Sequence, residues 1–137
     1  MLTNSRVVRR MAVVGAAAAL ASGIGVSSAS AAAIPMSSGG GCTGYTSVGY
    51  GLSINSCISA SGGTVHPDGY VSGSASNCTI YVDLIKDGSV VSESTSSCSG
   101  GHVYGNSVSG GGSYFTGIYA VVNGNTTSEI VSPYEYN

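Results

Sequence analysis

The sequence predicts an all-β domain: a single antiparallel β-sandwich, stapled by two disulfides and preceded by an N-terminal signal peptide. Three observations predict it. Beyond residue 41, short β-branched and aromatic runs alternate with Gly, Asn, Asp and Ser about every ten residues, the punctuation of a sandwich or barrel. No window carries a convincing helical apolar period, so no helix of consequence is expected. Four cysteines follow a head that reads as an export signal, the make-up of a small oxidised domain.

Arg6, Arg9 and Arg10 form a basic head, Met11 to Leu20 an apolar run, and Ser27 to Ala33 a small-residue tail. That order is the signature of a secretory signal peptide. Cleavage is expected after Ala33, with the Ala29-Ser30-Ala31 triplet as the alternative, so residues 1–33 are removed. The unbroken apolar stretch is about half the length a membrane span needs. No second such segment follows, and no membrane attachment is expected after cleavage. The Arg9-Arg10 pair raises the twin-arginine route, but Met-Ala-Val-Val behind it lacks the bulky apolar residues expected there, which favours the general secretory route. Residues 34–41 read as a flexible lead-in and 42–137 as the domain.

All three arginines leave with the signal. Lys86 then stands against Asp68, Asp83, Asp87, Glu93, Glu129 and Glu135, a net charge of −5. Nucleic-acid binding rests on Lys and Arg neutralising phosphates, so one lysine excludes that class, and anionic lipid with it. Val, Ile, Leu, Phe and Met make up only about a fifth of the remaining chain, close to the level at which chains stay unfolded. Ordering costs about 1–2 kcal/mol per residue, so cross-links are the expected remedy.

Three hairpins are read from the turns. The first runs from Cys42 to Ile58 about a Gly49-Tyr50 turn, with Leu52, Ile54 and Ile58 on one face. Residues 62–70 read as a loop with a Pro-Asp-Gly turn, followed by a weak strand from Val71 to Ala75. The second hairpin pairs 79–85 with 89–95 about Asp87-Gly88. It puts Ile80, Val82 and Leu84 on one face and Tyr81, Asp83 and Ile85 on a wetter one. A weak strand spans His102 to Val108. The third hairpin pairs 114–122 with 125–131 about Asn123-Gly124. Counting outward from Val122 and Asn125 sends Ile130 to the face of Phe115, Tyr119 and Val121, and Glu129 to the opposite face.

The hairpin counts favour disulfides Cys42–Cys57 and Cys78–Cys98, each across the mouth of its own hairpin. Each closes a loop of 15 or 20 residues, a stabilisation of roughly 3 kcal/mol. Cys57 is out of phase with Leu52, Ile54 and Ile58, which keeps a Cys57–Cys98 inter-sheet bridge open. No C-x-x-C spacing supports zinc, and no metal or other cofactor is expected.

The functional candidates divide unevenly. His66 and Asp68 could be drawn into a Ser–His–Asp site, but two residues apart in a turn they are expected to serve local hydrogen bonds, and no serine sits in a nucleophile elbow. Asp83 and Glu93, on paired strands, could approach as a glycosidase carboxylate pair or, with Asp87, hold calcium; an exposed acidic edge that keeps the hairpin soluble is the stronger reading. No enzyme is therefore expected. Extracellular recognition, or a structural role there, fits the composition better. Tyr, Ser, Gly and Asn are the residues binding loops favour, and Tyr45, Tyr50, Tyr70 and Tyr104 are the binding candidates. The expected partner is an extracellular protein or a glycan, and the domain is expected to be a monomer.

Two resemblances add to this. The segment Gly112-Ser-Tyr-Phe-Thr-Gly-Ile-Tyr-Ala-Val-Val-Asn-Gly-Asn-Thr-Thr-Ser-Glu-Ile-Val-Ser-Pro133 resembles the last two strands of bacterial immunoglobulin-like domains. Together with the Asn77 to Thr95 hairpin it implies an immunoglobulin-like sandwich, and the leader and composition look like small secreted actinobacterial proteins. The two-disulfide streptomycete α-amylase inhibitors are also similar in size, export and cystine order. Their Trp-Arg-Tyr motif is missing here. An inhibitor of a secreted hydrolase, the alternative function, would need another loop, for which Gly49-Tyr50 is the candidate.

Overall fold

A computed structural model describes residues 39–137; the expected signal peptide and most of the lead-in lie outside the described residues. Twelve strands carry the described residues: β1 (Gly41–Cys42), β2 (Thr46–Gly49), β3 (Leu52–Ser61), β4 (Thr64–Ser72), β5 (Cys78–Lys86), β6 (Ser89–Ser97), β7 (Gly101–Tyr104), β8 (Val108–Ser109), β9 (Ser113–Val122), β10 (Asn125–Thr126), β11 (Ile130–Val131) and β12 (Glu135–Tyr136). They form two antiparallel sheets. In the first, β3 and β4 lie between an edge made of β1 and β2 and an edge made of β7 and β8. In the second, β9 and β5 lie between β6 and an edge made of β10, β11 and β12.

Four hairpins close on two-residue turns: Tyr50-Gly51, Gly62-Gly63, Asp87-Gly88 and Asn123-Gly124. Both residues of each turn have positive φ, the conformation whose twist matches that of paired strands. The first turn lies one residue beyond the expected Gly49-Tyr50. Tyr50 itself takes φ 56°. Shifts along the edge restore the count, so that Gly49 pairs with Leu52, Thr46 with Ile54 and Cys42 with Cys57. Both expected disulfides are present, Cys42–Cys57 and Cys78–Cys98. Cys57 does point away from the core, and Cys42 covers it from the neighbouring strand.

The expected loop at 62–70 is instead most of β4. Pro67 fits there because β7 pairs with Asp68–Val71 and β8 with Thr64–Val65, leaving it at the break between them. Its carbonyl accepts the Gly105 N–H at 2.8 Å. Its missing donor faces that same break, where no ladder bond is lost. Gly69 is not a turn residue either. A Cβ there would collide with Ile118 Cδ1 of the other sheet and the Asn55 carbonyl. The glycine lets the sheets approach.

Between the sheets lie two apolar clusters. Leu52, Ile54, Val71 and Val103 meet Ile80, Val82, Ile118, Ala120 and Val122 in the larger; Ile58, Val65, Leu84 and Tyr114 form the smaller. Ser56 and Thr116 separate them. Ser56 Oγ donates to the Thr116 carbonyl at 2.9 Å, and the Thr116 N–H donates to Ser132 Oγ at 2.9 Å. The inward face of β6 is serine rather than aliphatic because it meets backbone. Ser92 and Ser94 donate to the Asn106 and Tyr104 carbonyls, at 3.2 and 3.1 Å, and Asn106 Nδ2 donates back to the Glu93 carbonyl. These bonds join one edge of each sheet.

On β5 Ile80, Val82 and Leu84 are buried as expected, but Asp83 and Ile85, on the face expected to be wetter, are buried as well. The expected faces fail for Ile130 and Glu129. Asn125 pairs with Val122 as expected, but Ile130 pairs with Ile118. The register has slipped by one. Thr127 leaves the ladder to bond Ala120 through both its N–H and its hydroxyl. Such a slip exchanges faces: Ile130 packs against the core and Glu129 joins Tyr119 outside.

Candidate functional site

Strand alternation sends Val65, Pro67, Gly69 and Val71 of β4 inward and His66, Asp68 and Tyr70 outward; on β7 Val103 goes in, His102 and Tyr104 out. Antiparallel register then sets Tyr70 opposite His102 and Asp68 opposite Tyr104. The result is a compact polar–aromatic patch on the outer face of the first sheet. The imidazole of His102 stacks on Tyr70 at 4.4 Å between centroids and 9° between planes. Tyr104 approaches it at 3.9 Å with a 46° tilt. Asp68 Oδ2 meets His102 Nε2 at 2.6 Å. The ring is thus fixed by two aromatic contacts and one charge-assisted hydrogen bond.

Next to this patch, Cys57 pairs with Asp68 and Asn55 with Tyr70. The Cys42–Cys57 disulfide therefore flanks the patch, and Asn55 holds its border, accepting the Gly44 N–H at 2.8 Å. Tyr45 follows Gly44 at this border and is 57% exposed; Tyr104 is 66% exposed. Of the four expected tyrosines, Tyr70 and Tyr104 come together, Tyr45 stands at the edge, and Tyr50 is apart at the β2–β3 turn. That turn is a tight two-residue one. The nearest disulfide joins β3 five residues beyond Leu52, so no cystine braces it directly.

Sequence reasoning weighs His102 only as a possible catalytic residue beside a carboxylate, leaves it out of the binding candidates, and places Asp68 in a turn. The signal was the phase shared by Asp68-Gly-Tyr70 and His102-Val-Tyr104, which a loop at 62–70 concealed. A Ser–His–Asp combination of His66 with Asp68 is not assembled. Asp68 belongs to His102, while His66 lies between Ser107 Oγ at 2.7 Å and Ser61 Oγ at 3.3 Å. A cavity of about 220 Å³ opens between the Gly62-Gly63 turn and the C-terminal residues. It is backed by Glu135, a buried residue whose carboxylate oxygens have no hydrogen-bond partner, and contains neither histidine.

On the second sheet Asp83 pairs with Glu93 on one side and Gly117 on the other, and Glu129 lies across Gly117. Burial, then Glu93 and Glu129, push the Asp83 carboxyl up to about 6. Burial also raises Glu129 and, with Asp83 and Glu93 adding to it, pushes the Tyr119 phenol up to about 12. Asp87 stands apart and bonds the Ser113 N–H. Among the described residues no three His, Cys, Asp or Glu side chains converge as metal ligands. No known protein-family model matches the chain, and comparison with curated proteins and with solved structures gives no match.

Proposed function

We propose that this protein is an exported, non-catalytic recognition domain that binds an extracellular glycan through Asp68, Tyr70, His102 and Tyr104. The observation that carries the reading is the Tyr70–His102–Tyr104 stack, held in place by Asp68 on an open sheet face. Tyr104, the more exposed tyrosine of the stack, supplies aromatic area for a pyranose, and its fixed neighbours keep the further entropic cost small. Asp68 and the phenol hydroxyls offer hydrogen bonds to sugar hydroxyls beside them.

The leader at 1–33 and the two cystines support export. The strand order supports an immunoglobulin-like arrangement: β4 pairs with β7 in one sheet and β5 with β9 in the other, a linkage in which the chain alternates between sheets. The test is retention of the mature domain on purified cell-wall polysaccharides and a glycan array. Tyr104→Ala and His102→Ala each weaken retention at least tenfold, while far-UV circular dichroism stays unchanged. Undiminished retention in both variants overturns the assignment.

A further inference from the structure

The outer face of the second sheet holds a charge arrangement that the glycan reading leaves unused. Asp83 lies at its centre, only 7% exposed, with Oδ1 lacking any hydrogen-bond partner. Glu93 reaches the same place from β6 and Glu129 from the chain preceding β11. Gly117 makes this convergence possible. A Cβ at that position would collide with Glu129 Oε1 and stand 2.8 Å from its Cδ, so the missing side chain is the space Glu129 occupies beside Asp83. Three carboxylates have thus been brought together across four segments of chain.

No cation of the described residues answers them. Lys86, the lone lysine, lies with its Nζ 5.5 Å from the ring centre of Tyr114, in the inward phase of β5. Buried carboxylates without a partner are unfavourable, and the raised pKa values of Asp83 and Glu129, which burial makes weaker acids, register that cost. An arrangement this unfavourable in isolation points to a cation supplied from outside. The geometry narrows which one. The acids do not converge as metal ligands, so a compact ion is a poor fit and an extended, multidentate one a good fit. In the adjacent row Tyr81 and Tyr119 stand parallel, 5.0 Å apart and 1° between planes, an aromatic wall bordering the carboxylates. A planar group carrying several donors suits both features. Guanidinium stacks on aromatic rings and engages two carboxylates at once, where ammonium is a strongly hydrated point charge.

We infer that the outer face of β5, β6 and β9 is a docking site for an arginine side chain of a basic protein partner, its guanidinium held by Asp83, Glu93 and Glu129 against Tyr81 and Tyr119. The charge of the domain fits such a partner, with six carboxylates to one lysine beyond residue 33. The titratable groups facing Asp83 are Glu93 and Glu129, with Tyr119 and Tyr81 in the next row. Protonation of Asp83 below about pH 6 removes the central charge, so binding weakens in acid. This site lies on a different sheet from the Tyr70–His102–Tyr104 face and does not depend on it.

The probes are an acetylated, amidated Arg-Gly-Arg peptide and its Lys-Gly-Lys counterpart, titrated into the mature domain at low salt and followed by amide NMR shifts. At pH 7.5 the arginine peptide gives saturable shifts at Asp83, Gly117 and Glu129 and binds at least threefold tighter than the lysine peptide. Asp83→Asn weakens it about tenfold, Glu129→Gln weakens it as well, and lowering the pH to 5 acts in the same direction. Tyr104→Ala leaves it unchanged. Absence of saturable shifts overturns the inference. So do equal affinities for the two peptides, shifts mapping to the first sheet, or an Asp83→Asn domain that binds like the parent while its remaining spectrum stays native.

Discussion

Asp83 shows how a single side chain sets a pH dependence. Its folded-state pKa is raised, from the ordinary 3.8 to about 6, so the folded chain holds a proton that the unfolded chain releases. Linkage then fixes the sign: the stability Asp83 contributes is present in full below about pH 4 and is lost as the pH rises through about 6. Solvent screening at this partly open face reduces the full shift to a contribution of about 1 kcal/mol. Asp83→Asn therefore raises the melting temperature at pH 7.5 and flattens the dependence on pH between 4 and 7. Calorimetry across that range checks it; a parent protein and variant with parallel pH profiles would contradict it. The acidity of this residue could not be read from its strand alone. Glu93 was visible on the paired strand, although counting back from Asp87-Gly88 sets Ser92 opposite Asp83 and it is a register shift between Leu84 and Ile85 that brings Glu93 there. Glu129 was not visible, because Thr127 takes a residue out of the ladder and exchanges the face on which Glu129 emerges.

Among the elements, β4 is where sequence and structure differ most, and the reason is physical. Pro-Asp-Gly is a strong turn signal, and its propensity was outweighed by tertiary context. Pro67 occupies the break between two partner strands, Asp68 turns outward to His102, and Gly69 admits Ile118 from the opposite sheet. Gly69→Ala thus forces a methyl group against Ile118 and the Asn55 carbonyl, an overpacking cost of about 1–3 kcal/mol; a turn glycine at a permissive site would show almost none. Chemical denaturation measures the difference. The hairpins at Asp87-Gly88 and Asn123-Gly124 were legible because their turns are local, and the cystines because each closes its own hairpin. Half of the candidate site was legible for the opposite reason: exposed tyrosines announce themselves by composition, whereas His102 acquires its role only from a strand pairing across 32 residues of chain from Tyr70.

For the molecule as a whole, the thin interior makes the cross-links decisive. Two clusters, divided by the Ser56–Thr116 hydrogen bond, supply modest apolar burial for a domain of this size. Each cystine restricts the unfolded chain by a worth of roughly 3 kcal/mol, and together they rival the whole net stability of an ordinary domain, about 5–15 kcal/mol. Full reduction is therefore expected to abolish the β-type circular dichroism at 37 °C, and reoxidation to restore it; a reduced protein that keeps its native spectrum would show the core to be sufficient alone. The two outer faces differ in kind, one aromatic around an imidazole, the other acidic around a hydrophobic wall. The glycan and arginine proposals therefore draw on separate residues, and neither ligand would compete with the other.

The serines of β6 also bear on behaviour at high concentration. With Ser92 and Ser94 tied to the Asn106 and Tyr104 carbonyls, Asn106 is held where its Nδ2 donates to the Glu93 carbonyl of the edge strand β6. An incoming strand from a neighbour has to displace that amide before it can pair with β6 at Glu93, a local obstacle to edge-to-edge growth. Polar side chains that look like mere solubilising filler thereby hinder polymerisation at that position.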